Sequence, residues 1–225
     1  MKLNIFTSAF CGIALRRNAF PKLQRMSIST IKLKASMESS VVESETLRWL
    51  KEHVIQLNLC PFAKASLMKG TVDIVVSETS DAKTLRNQVV DAALALEQSG
   101  NMTGSGTVLI AAPYVKRIED FHEYLYFSEE ISNDMNWVGL FGKIQLASFH
   151  PNYQFEGTEK DDITNYTNRC PWPLFHLLRE VEVSKAVDSY KGETDIIWQN
   201  NQETMKSQGK EKLSKFFESF TKKEV

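Results

Sequence analysis

The run Thr107-Val-Leu-Ile-Ala-Ala112, closed by Pro113, constrains the fold more than any other part of this chain. It is continuously apolar, rich in strand-forming residues, and too short for a buried helix, so it predicts a buried β-strand that other elements must cover. The sequence on either side supplies the cover. Leu47, Leu50, Val54 and Leu57 recur at helical spacing and predict an amphipathic helix over 43–58, while Leu85, Val89, Ala92, Ala93 and Leu96 predict a second over about 81–98. Between them, 71–77 is short and β-branched and predicts a strand.

Downstream, the pattern predicts a third helix near 117–135, a third strand over 143–149 and a long polar loop to Arg169. Pro171 is then taken to start a helix running to about Tyr190. A last amphipathic helix near 201–221 carries Leu213, Phe216, Phe217 and Phe220 on one stripe, which suits packing on the core. This order predicts an α/β (or α+β) layer fold over 38–225, a single domain with a small sheet of at least three strands covered by helices. Parallel and antiparallel pairing stay open at this level.

Seven basic residues, Lys2 to Lys34, precede the first acidic one, Glu38. That basic, hydroxylated and acid-free stretch predicts a disordered organelle transit peptide over 1–37, hence the mitochondrial matrix or another organelle stroma, with the cytoplasm as the alternative. The whole chain has 27 basic and 28 acidic residues, so the remainder is acidic by about eight charges. An acidic body repels a phosphate backbone, which sets nucleic-acid binding aside. No apolar run approaches the roughly 20 residues of a membrane-spanning helix. Of three cysteines, only Cys60 and Cys170 lie beyond the N-terminal stretch, which offers neither a disulfide framework nor a structural zinc site.

The polar centre of gravity is Ser148–Glu180. His150 is placed where the third strand ends, a position from which open α/β sheets present side chains to ligands. On a helix, His176 and Glu180 are four apart and share a face. Together with His150, and with Glu156, Asp161 and Asp162 close by in sequence, they form a candidate catalytic or divalent-metal set of two histidines and a carboxylate. Arg169 ahead of a helix begun by Pro171 suggests an anion pocket, and Arg179 is a second candidate for the same task. Asn165, Tyr166, Thr167 and Asn168 suit either orienting a polar ligand or tying the loop to itself. Cys60, before Pro61, is a candidate thiol if a helix start lowers its pKa, and is equally suited to being a small buried residue at a turn.

Three motifs carry a resemblance: LNLCPFA at 57–63, ASFHPNYQFEGT at 147–158 and NYTNRCPWP at 165–173, followed by His176-Leu-Leu-Arg-Glu180. In this order they resemble the family catalogued as domain of unknown function 1415, over about 43–215. The resemblance supports Cys60, His150, Arg169, His176, Arg179 and Glu180 as candidates, and Tyr153 with Asn165 and Asn168 as ligand-binding positions. Where this chain has Cys170 the family often has serine, which leaves that thiol outside the implied site. The resemblance brings no activity with it.

Three functions follow as expectations. The first is an enzyme, for example a metal-dependent hydrolase or lyase, acting on a small anionic metabolite through His150, His176 and Glu180. The second is a non-catalytic protein binding a small ligand, a metal or haem. The third is a thiol enzyme using Cys60.

Overall fold

A computed structural model describes residues 37–103, 106–190 and 196–220. The transit-peptide reading of 1–37 therefore lies outside the described residues, apart from Met37, which begins the first helix. In chain order the elements are α1 (Met37–Trp49), running into a π-helical turn (Leu50–Ile55), α2 (Ala63–Met68), β1 (Val72–Val76), α3 (Ala82–Thr103) and β2 (Thr107–Ala111). A 3-10 turn (Lys116–Glu119) leads into α4 (Phe121–Trp137), then β3 (Ile144–Phe149). A second 3-10 turn (Ile163–Thr167) precedes β4 (Leu174–Arg179), α5 (Glu180–Ser189), α6 (Ile197–Gln208) and α7 (Lys210–Glu218).

The four strands make one mixed sheet in the order β1-β2-β4-β3, with β1 and β2 parallel and β4 antiparallel to both neighbours. This is the α/β layered domain that the sequence predicts. The Thr107–Ala111 run becomes a central strand, and alternate residues go to opposite cores, as strand geometry requires. Val108 and Ile110 pack with Leu85, Val89, Phe127, Phe175 and Leu177 under α3 and α4. Leu109 packs with Trp49, Leu50, Leu174, Met205 and Leu213 under α1, its π-helical extension and the C-terminal helices. Apolar residues on both faces of β2 are therefore a requirement of a sheet covered on both sides.

Two expectations need correcting. The segment after Pro171 is strand before it is helix: 174–179 pairs along its length with β2 and β3, and α5 starts only at Glu180. Short apolar runs fit either structure, and the position between two strands with open edges decides for β4. The predicted C-terminal helix is two helices, because Gly209 adopts φ 78°, a left-handed conformation that breaks the α pattern.

At the far end of β3 and β4 the ladder is closed by a side chain. The Tyr124 hydroxyl from α4 donates to the Leu174 carbonyl at 2.6 Å and accepts from the Phe149 N–H at 3.1 Å, the two residues that form the last register pair. Tyr124 is fully buried, and that burial raises its phenol pKa, so the hydroxyl stays protonated. Replacing it by Phe strands a buried carbonyl and a half-buried N–H, at a cost of up to about 1–3 kcal/mol each. We expect Tyr124→Phe to lower unfolding stability by about 2–4 kcal/mol in urea titrations. A loss below about 0.5 kcal/mol, within the range of an ordinary surface change, would mean that the hydroxyl does not hold this end of the sheet.

Candidate functional site

The carboxyl ends of β1, β2 and β3 and the start of β4 lie at one edge of the sheet, as the register of the pairs dictates. The chain leaves β3 at His150 and returns to β4 at Leu174, beside the point it left. A loop that long must be held by its own polar groups, and most of the candidate residues hold it.

His150 is 1% exposed. Its Nδ1 accepts the Asn152 N–H at 3.0 Å, so Nε2 carries the proton and donates to the Ile118 carbonyl at 3.0 Å. The ring lies against Phe121 and Tyr124, and burial lowers its pKa to about 4, against a partial rise from the Ile118 carbonyl. Both nitrogens are committed to the fold. Asn165, fully buried, accepts from the Phe155 N–H and the Thr158 hydroxyl and donates to the Glu159 carbonyl. Asp162 caps the 3-10 turn through the N–H and hydroxyl of Thr164. The Asn168 carbonyl accepts the His150 N–H, and its side chain bonds to Tyr153, whose ring packs on Phe121 and Phe155.

His176 sits on the other face of the sheet, the side of Leu174 and Leu109. The Thr107 hydroxyl donates to the Leu177 carbonyl, so it receives the His176 Nε2 proton, at 2.6 Å. Burial lowers this ring to about 4 as well. Glu180 begins α5 and does not share a helix with His176; its N–H donates to the Lys143 carbonyl. The proposed set of His150, His176 and Glu180 is therefore not assembled as a metal centre. Among the described residues no group of three or more His, Cys, Asp or Glu side chains could hold a metal ion.

Arg179 is 5% exposed and is spent on α3: Nε and Nη2 donate to the Leu96 carbonyl, Nη2 also to Ser99, and Nη1 pairs with Glu182 at 2.9 Å. Cys60 packs with the core beneath the π-helical turn, across the sheet from the rings that hold His150. No helix begins at Pro61, since α2 starts at Ala63. Burial raises the Cys60 thiol pKa more than the N–H groups of Phe62 and Ala63 lower it, which disfavours a thiolate. Cys170, buried and bonded to the Trp172 carbonyl, is pushed well above the usual range.

Arg169 differs. No helix follows it, so its predicted dipole partner is absent, yet its guanidinium lies 4.4 Å from the centre of the Tyr166 ring and is tethered to the loop by the Lys160 carbonyl. It lines a cleft of about 240 Å³ between the loop and α7. Pro151, Asn152, Tyr166, Arg169 and Trp172 form the loop wall, and Ser214, Phe217, Glu218 and Phe220 the other. The Tyr166 hydroxyl meets Ser214 at 3.0 Å where the walls join. A larger hollow, about 530 Å³, lies at the α6–α7 junction, but its walls are a single stretch, Gln208–Lys212 with Lys215, whose lysines are exposed. It is lined by no buried charged side chain and no apolar residue, so the smaller cleft is the better candidate.

Several residues around this cleft were not among the sequence candidates. His53, in the π-helical turn, donates from Nε2 to the Tyr166 carbonyl at 2.8 Å and lies against Phe216 and Phe217, which fixes both walls to one another. Trp49 donates to the Arg169 carbonyl. Arg48 stacks on Phe220 at 4.1 Å. Arg48 Nε, Thr167 Oγ1 and Trp172 Nε1 are buried without a hydrogen-bond partner among the described residues. A π-helical segment in the predicted helix 43–58 leaves little mark in a single sequence, although such segments often sit at functional sites.

The fold and site define an α/β domain with an arginine-bearing cleft beside the sheet's edge. The model of the family described as "Protein of unknown function (DUF1415)" matches residues 41–215, and the chain belongs to that family. Neither the curated proteins nor the solved structures contain a match.

Burial holds His53, His150 and His176 neutral, with pKa values near 4 against an ordinary 6.5. The unfolded chain takes up these protons first as the pH falls, so stability is flat above pH 6.5 and drops from there towards 4. The slope contribution is up to about 1.4 kcal/mol per pH unit for each ring. Urea midpoints measured between pH 7.5 and 4.5 should show this, with a shallower fall in His150→Ala measured on its own, lower baseline. An equal slope in the variant would place the titration elsewhere.

Proposed function

We propose that this protein binds a small anionic molecule in the cleft between the 150–173 loop and α7, with Arg169 as the principal anion-recognising side chain. The observation that carries the reading is the position of Arg169: its guanidinium lines the cleft, is held there by the Lys160 carbonyl and the Tyr166 ring, and forms no ion pair within 4 Å among the described residues. A guanidinium without a carboxylate partner is matched by the oxygens of an oxyanion.

Binding without catalysis suits the geometry better than the hydrolase or lyase reading. The groups that acid–base chemistry would use, His150 and His176, are neutral and hydrogen-bonded on opposite faces of the sheet. The two thiols are held protonated by burial.

The test is titration of the full chain with sodium acetate, phosphate and benzoate at constant ionic strength, following the indole N–H resonance of Trp172, assigned through Trp172→Phe. At least one anion should shift that signal saturably, and Arg169→Gln should weaken its binding about tenfold or more, the usual worth of a charge-assisted bond. No response to any of the three at millimolar concentration would sink the proposal.

A further inference from the structure

We infer that the anion this cleft accepts is a monocarboxylate on a flat apolar body about the size of one aromatic ring. This deepens the proposed function and rests on it. Four of the lining residues are aromatic: Tyr166 and Trp172 on the loop wall, Phe217 and Phe220 on the helix wall. Tyr166 and Phe217 meet at 5.4 Å with tilted planes, and Phe217 and Phe220 at 6.1 Å, so these three rings abut and present their edges to the cleft as an apolar lining.

An aromatic face carries partial negative charge, so it attracts cations and repels a bare anion laid on it. The two guanidiniums are placed accordingly, Arg169 over Tyr166 at 4.4 Å and Arg48 over Phe220 at 4.1 Å. A ligand that satisfies both features has its charge at one end, against a guanidinium, and an apolar body against the rings. A compact, fully hydrated ion such as phosphate would lose water against these walls without gaining packing. Glu218 on the helix wall is exposed, forms no ion pair within 4 Å among the described residues, and disfavours a second negative charge. The volume of about 240 Å³ lies below the roughly 300–1,000 Å³ usual for drug-sized ligands, which limits the body to about one ring.

The experiment compares sodium benzoate, benzamide and sodium phosphate on the full chain by calorimetry and the Trp172 indole signal, at one pH and ionic strength. Benzoate is expected to bind at least about tenfold more tightly than either of the others. Glu218→Gln, a change at an exposed position, should tighten benzoate and leave benzamide unchanged, and it does not depend on Arg169→Gln folding normally. Phosphate binding as tightly as benzoate would overturn the apolar-body inference while leaving anion binding intact. Benzamide equal to benzoate would overturn the role of the charge. Silence from all three would remove the inference together with the reading it rests on.

Discussion

The pairing of Phe149 with Leu174 is the constraint on which the rest of this structure depends. It inserts β4 between β2 and the edge strand β3, and it forces everything between those two residues out as a loop whose ends lie side by side. Tyr124 bonds to both residues of that pair from α4, so the helix layer, the sheet and the loop are fastened at one point. His150 follows directly and packs against Tyr124, ring centres 5.0 Å apart with tilted planes. A side chain there must satisfy the backbone groups of Ile118 and Asn152 and fill space between aromatic rings, and a neutral imidazole with one donor and one acceptor does both.

The same constraint explains why a loop this polar is ordered. Backbone that leaves a sheet loses its regular partners, and buried N–H and C=O groups need replacements. Asn165 serves four such groups or hydroxyls at once, Asp162 caps a turn, and the Arg169 guanidinium reaches the Lys160 carbonyl. Those residues recur in the motifs because the loop has no other means of support. Arg169 is the member with capacity left over, since its guanidinium also forms part of the cleft wall.

How much of this was legible in the sequence varies with the range of the interaction. β2 was legible because five apolar residues in a row before a proline admit few alternatives. β4 was not, because Leu174 to Arg179 has the composition of a helix as much as of a strand, and only the neighbouring strands, β2 at 63 to 69 positions and β3 at 25 to 35, settle it. Most of the candidate residues hold the loop or the sheet together, and a histidine committed to the Ile118 carbonyl, 32 residues away, looks the same in sequence as one free to work. The helix wall of the cleft was visible as an apolar stripe at Leu213, Phe216, Phe217 and Phe220. Its pairing with the loop was hidden, because it depends on His53 and Tyr166 meeting across 113 positions.

Electrostatics adds a last step. Beyond its basic N-terminal stretch the chain is acidic by about eight charges, so the field of the whole protein works against approaching anions. At physiological salt that field decays over about 8 Å, whereas the guanidinium of Arg169 acts at contact distance inside a cleft with apolar walls. Long-range repulsion grows with ligand charge, and short-range attraction depends on how many donors the ligand can reach. Under the proposed function, a singly charged ligand with an apolar body meets the least repulsion on approach and keeps its contact with Arg169 once bound. The acidic surface would then act together with Arg169 as a filter against highly charged anions.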